Sequence, residues 1–120
     1  MDEARVRARL DELRREAAAR LAALDGQLSD IADARRDANS DDEHDPEGST
    51  LAFDRAQVST LAAGARRRLD EIDAAIARLD DGTYGRCERC GQPVPEARLA
   101  ARPTARFCVR CQARVDANDR

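Results

Sequence analysis

The stretch Leu10-Asp11-Glu12-Leu13-Arg14-Arg15-Glu16-Ala17-Ala18-Ala19-Arg20-Leu21-Ala22-Ala23-Leu24-Asp25-Gly26-Gln27-Leu28-Ser29-Asp30-Ile31 decides the fold. Its apolar residues Leu10, Leu13, Ala17, Leu21, Leu24, Leu28 and Ile31 recur at steps of 3, 4, 4, 3, 4 and 3. With Val6 extending the row backwards, they form one narrow apolar stripe on a long helix. The same steps return in Val58, Leu61, Ala65, Leu69, Ile72, Ile76 and Leu79. Matched stripes predict helices near 3–38 and 50–81 that bury each other. The doubled four-residue step reads as a stutter that locally unwinds the supercoil. At 1.5 Å per residue each helix would run roughly 50 Å.

Between the stripes lies Asn39-Ser40-Asp41-Asp42-Glu43-His44-Asp45-Pro46-Glu47-Gly48, which holds the only Pro and Gly between Gly26 and Gly64 and so reads as a connector. A connector this short makes the helices antiparallel and sends both chain ends to the opposite end of the hairpin. Ser49 or Thr50 is the candidate cap of the second helix, and Asp81-Gly82 its stop. Charge is divided along the chain: −1 over residues 1–38, −6 over 39–54, zero over 55–85 and +4 over 86–120. The connector is therefore an acidic tip, with Asp41, Asp42, Glu43 and Asp45 as its candidate functional residues.

The chain has 120 residues, no Trp and three aromatic residues (Phe53, Tyr84 and Phe107), too few for a large packed core. The last third is stabilised by other means. Cys87-Glu88-Arg89-Cys90 and Cys108-Val109-Arg110-Cys111 are two CxxC pairs separated by 17 residues, a spacing suited to tetrahedral zinc. Gly91 supplies the turn after the first pair. A thioredoxin-type dithiol needs one CxxC within a βαβ pattern that is missing, and an iron cluster is the other occupant four thiolates allow. One structural Zn²⁺ held by Cys87, Cys90, Cys108 and Cys111 is the expectation. Four protein ligands leave no position for substrate, so zinc catalysis is not expected, and the sole His, His44, has no nucleophile beside it. The expected fold is mainly α: a long antiparallel coiled-coil hairpin over 1–81 with its acidic tip at 39–50, then a small C4 zinc finger over 82–120.

No stretch approaches the ~20 apolar residues of a membrane span, and the N-terminus lacks the apolar core of a signal peptide. The expected location is cytoplasmic, where thiols serve metals more readily than disulfides. All 21 basic residues are Arg, which reads as the coding bias of a GC-rich genome.

The segment Tyr84 to Gln112 resembles the DksA/TraR family of bacterial C4 zinc-finger proteins. Besides the cysteines it has the leading Tyr84-Gly85, the run Arg98-Leu99-Ala100-Ala101-Arg102-Pro103 before the second pair, and Gln112 after it. The resemblance implies a coiled-coil hairpin with an acidic tip on a zinc finger. It also implies a transcription regulator that binds RNA polymerase, not DNA, with the coil inserted through the secondary channel toward the catalytic Mg²⁺. In the family the tip carries two Asp three residues apart followed by an Ala. Asp42 and Asp45 keep that spacing, with Glu47 in the place of the Ala; an alignment from Asp45-Pro46 puts Gly48 at the second Asp, and one through Asp54-Arg55-Ala56 lacks the first Asp. Positions that in some members bind ppGpp correspond to Glu71, Arg102 and Gln112, of which only Arg102 is cationic, so no ppGpp site is expected. Arg98 and Arg102 are the candidate basic contacts.

Two other classes compete. Arg86, Arg89, Arg98, Arg102, Arg106 and Arg110 make the finger basic enough to consider nucleic-acid binding, yet the chain as a whole is acidic and offers few aromatic platforms. A coiled-coil protein that dimerises through its stripe is the other. The hairpin satisfies the stripe within one chain, so a monomer is expected.

Overall fold

The computed structural model describes residues 1–38 and 46–119. Among them are four helices, α1 (Glu3–Ala38), α2 (Pro46–Asp81), α3 (Glu96–Ala101) and α4 (Val109–Asn118). Extended pairing in this part is limited to one bridge between Arg86 and Pro93. No described helix is long and apolar enough to cross a membrane.

Local chemistry accounts for the helix ends. Asp2 caps α1, its Oδ1 accepting the Arg5 N–H at 3.2 Å, and Arg35 and Arg36 complement the dipole in the last turn. α2 begins at Pro46, four residues before the expected start, so the backbone of Ser49 and Thr50 lies inside the helix and not at its first residue. Proline suits that place because its φ is preset and a first-turn residue needs no N–H donor. α2 stops where anticipated: Gly82 takes φ 80°, and the N–H groups of Thr83 and Tyr84 donate to the Arg78 carbonyl at 2.9 and 3.1 Å.

The chain divides into two compact units, one formed by Met1–Arg14 with Asp70–Arg120, the other by Arg15–Leu69. In the first, the start of α1 runs antiparallel to the end of α2. Arg7 pairs with Asp80 at 2.8 Å and Arg14 with Asp73 at 2.6 Å. These exposed pairs are each worth ~1 kcal/mol or less and serve to mark register. Burial carries the energy: Leu10, Ile72 and Ala75 are fully enclosed and Leu79 nearly so, at ~1.5–3 kcal/mol for each large side chain.

In the second unit Leu24, Ala62 and Ala65 form a core against which Leu21, Leu28 and Val58 pack, while Asp25 pairs with Arg66 at 3.6 Å. Ile31 and Val58 line one recess, in keeping with the antiparallel register. One position departs from the expected stripe. Leu61 is 45 % exposed and Ala62 only 2 %, so Ala62 faces α1. In α2 the row Val58, Ala62, Ala65, Leu69, Ile72, Ile76, Leu79 has alternating steps of 4 and 3, so the expected doubled four-residue step drops out of this helix's stripe. A small residue there lets the backbones approach, and the larger Leu61 turns outward.

Candidate metal centre

Each cysteine pair sits where the backbone turns sharply. In the first knuckle the Gly91 N–H donates to the Cys87 carbonyl and the Cys87 N–H to the Gln92 carbonyl, both at 2.9 Å. Gly91 takes φ 76°, a left-handed conformation that a Cβ would penalise. The second pair straddles a helix start. Cys108 is the N-cap residue of α4, extended at ψ 166°, and Cys111 lies in the first turn, with the Gln112 N–H donating to the Cys108 carbonyl at 2.8 Å. The two knuckles meet, and all four Sγ atoms lie within 4.8 Å of one another. Cys90 and Cys108 Sγ are 3.9 Å apart. Zn–S bonds of about 2.3 Å in a tetrahedron require S···S edges of about 3.8 Å, so this donor set fits one zinc ion.

The protonation chemistry fits as well. Burial opposes ionisation of Cys87, but N–H donation from Cys90, Cys108 and Arg89 outweighs it and lowers the thiol to about 6. The Cys111 thiol is pushed up to about 12 by burial and by its sulfur neighbours. Cys108 is lowered chiefly by the Cys111 backbone N–H. Four such groups cannot all ionise side by side without a cation, and a divalent ion relieves their repulsion. The resulting closed site is structural, since all four positions belong to the protein.

The surrounding residues take the place of an apolar core. Tyr84 is buried and donates its hydroxyl to the Pro103 carbonyl at 2.7 Å, burial raising its pKa. Val94 and Leu99 are buried as well, and Leu99 lines the same recess as Tyr84. Of the two candidate basic contacts, Arg98 is half-buried and donates from Nε to the Phe107 carbonyl at 2.9 Å, whereas Arg102 is exposed. The tip residues Asp41, Asp42, Glu43 and Asp45 lie outside the described residues. The sequence reading did not single out Arg78, buried on α2, or Glu88, between the first two cysteines. Only a helical position too polar for its buried neighbours hinted at Arg78.

The profile of the prokaryotic dksA/traR C4-type zinc finger matches residues 82–117. General stress protein 16O of Bacillus subtilis (strain 168) is 40 % identical over 79 residues, 66 % of this chain and 48 % of that protein. The RNA polymerase-binding transcription factor DksA of Caulobacter vibrioides is 42 % identical over 67 residues, 56 % of this chain and 47 % of that one. The chain thus spans about half the length of these curated relatives. The structure of transcription factor DksA2 from Pseudomonas aeruginosa superposes with a TM-score of 0.80 at 27 % identity, over 98 % of this chain and 84 % of the other.

Proposed function

We propose that the chain, whose residues 82–117 match the dksA/traR C4 zinc finger, is a DksA/TraR-family transcription regulator that binds RNA polymerase directly. The zinc is structural. The hairpin enters the secondary channel, and Asp41, Asp42, Glu43 and Asp45 at its tip act near the active site, while the coil sides and the finger, with Arg102 among its exposed cations, anchor the complex. The protein acts as a monomer in the cytoplasm and needs no sequence-specific DNA contact.

The observation that carries the reading is the four-cysteine centre inside a matched dksA/traR finger, together with a relative named for polymerase binding. Charge supports the tip's role. Six carboxylates and no Arg fall between residues 39 and 54, and near a bound Mg²⁺ or a channel-lining cation their field acts with little screening. Substitution of Asp42 and Asp45 together by Asn tests the division of labour. Association with polymerase shifts by no more than about thirtyfold, at ~1 kcal/mol or less for each of the two exposed charges, while the effect on a short-lived promoter complex is lost at saturating protein. A double variant that regulates as well as the parent refutes the tip mechanism, and an intact protein that does not associate with polymerase refutes the function.

A further inference from the structure

We infer that Glu88 is a positioning residue that ties the metal-binding knuckles to the end of α2, so that metal occupancy is felt in the last turn of that helix. The inference is independent of the polymerase reading and rests on the zinc site and its surroundings.

The two residues inside a CxxC knuckle are not ligands, and a carboxylate there is electrostatically awkward. Four thiolates around Zn²⁺ carry a net charge of about −2, and Glu88 adds another negative group next to Cys87. The structure compensates from two sides. Arg106, two residues before Cys108, places both Nε and Nη2 on Glu88 Oε2, at 2.9 and 2.7 Å. The Glu88 N–H donates to the Arg106 carbonyl at 2.9 Å, so the first knuckle and the approach to the second are joined through both side chain and backbone. From the other side Arg78 Nη1 of α2 lies 3.8 Å from Glu88 Oε1. The Arg78 side chain is only 11 % exposed, and its Nη2 donates to the Thr104 carbonyl at 3.3 Å. Removing Glu88's charge leaves that enclosed guanidinium with a neutral carbonyl as its remaining acceptor among these contacts, the situation in which losing one partner is most costly.

The path continues into α2 through the backbone of the same residue. The Arg78 carbonyl accepts the N–H groups of Thr83 and Tyr84, which close the helix. A shift of Arg78 therefore loosens the helix end as well as Thr104. With metal bound, Cys87 and Cys90 hold Glu88 in place, Glu88 holds Arg78, and Arg78 holds the last turn. When the metal leaves, the first of these restraints goes and the others slacken.

The test uses the full-length, zinc-loaded protein and two readouts. Zinc loss is followed by transfer to a chromogenic chelator in excess, and backbone order by amide hydrogen exchange at Thr83 and Tyr84. Glu88→Gln keeps the shape and removes the charge. It is expected to speed zinc loss about tenfold, in the range for residues that support metal ligands, and to speed exchange at both amides, while the Leu21–Leu28 amides of the other unit are unchanged. Arg78→Met, which keeps the stem's packing, is expected to do the same and serves if the first variant folds poorly. The combined variant separates positioning from general destabilisation: if Glu88 acts through Arg78, the double loses no more than the worse single variant. Additive losses, faster zinc release with unchanged exchange at Thr83 and Tyr84, or changed exchange with unchanged zinc release each overturn the inference.

Discussion

Ile72 and Leu61 belong to the same apolar row in the sequence, yet the structure gives them opposite fates, and their alanine variants measure the difference. Ile72 is completely enclosed, so Ile72→Ala removes a buried side chain and leaves a void that a two-helix seam only partly closes. The loss is about 3 kcal/mol, within the ~2–5 kcal/mol of such truncations and a large share of the ~5–15 kcal/mol typical of a whole domain. Leu61 keeps 45 % of its surface in water. A fully buried Leu is worth ~1.5–3 kcal/mol, so about half of that is at stake, and alanine's better helix propensity returns a few tenths. Leu61→Ala is thus expected to cost about 1 kcal/mol or less. Ala62→Leu, which forces a larger side chain into the seam, is expected to cost ~1–3 kcal/mol. Urea unfolding of the zinc-saturated protein, followed by far-ultraviolet circular dichroism with comparable m values, supplies the comparison. If Leu61→Ala destabilises as much as Ile72→Ala, or Ala62→Leu stabilises, the heptad register through Ala62 is wrong.

The metal centre makes a pH prediction. In the metal-free fold Cys87, lowered to about 6, is already ionised at pH 7.5, whereas Cys111, raised to about 12, is protonated. Zinc uptake at pH 7.5 therefore releases three protons or fewer, and the release climbs toward four as pH falls through about 6 and Cys87 regains its proton. Zinc affinity rises with pH and does so more steeply below 6; a constant slope of four protons from pH 6 to 8 contradicts the assigned ionisation. Two glycine substitutions should have opposite signs. Gly26→Ala, where a Cβ meets nothing within 4 Å, is expected to stabilise by about 0.5–1 kcal/mol, and Gly82→Ala, at φ 80°, to destabilise by about 1–2 kcal/mol, both read by thermal unfolding with zinc in excess.

Features set by local chemistry were legible in the sequence. Cysteine spacing fixes which thiols can share an ion, and the structure brings together the four named. The apolar period gave two facing helices, and Gly82 gave the end of the second. What escaped depended on geometry at a distance. Leu61 outweighed Ala62 because a sequence pattern ranks residues by apolar size, whereas a close seam selects for small volume. Pro46 and Gly48 read as connector because both disfavour helix interiors, a preference that does not hold for Pro in a first turn. Arg78 could not be recognised as buried, since the carbonyl that accepts from it, on Thr104, lies 26 residues further along the chain.

The arginines that looked like a genome's coding habit take up backbone acceptors in the finger. Residues 102–107 lie outside the helices and Ala100 is in the last turn of α3, so their carbonyls need partners from elsewhere. Arg9 of α1 donates to the carbonyl of Ala100 at 2.7 Å, Arg78 of α2 to Thr104 and Arg98 of α3 to Phe107, while the Tyr84 hydroxyl takes Pro103 and the Glu88 N–H takes Arg106. Guanidinium suits this work because it offers several donors on one rigid plane and is less strongly hydrated than an ammonium, so it gives up less on leaving water. Two of these donors come from the long helices. That accounts for the first fourteen residues and the end of α2 forming one compact unit with the finger. Zinc fixes the knuckles; the loop between them is held by side-chain donors that the two helix ends help to supply. A finger cut out at residue 82 would keep its four thiolates and lose Arg9 and Arg78, leaving the carbonyls of Ala100 and Thr104 to water.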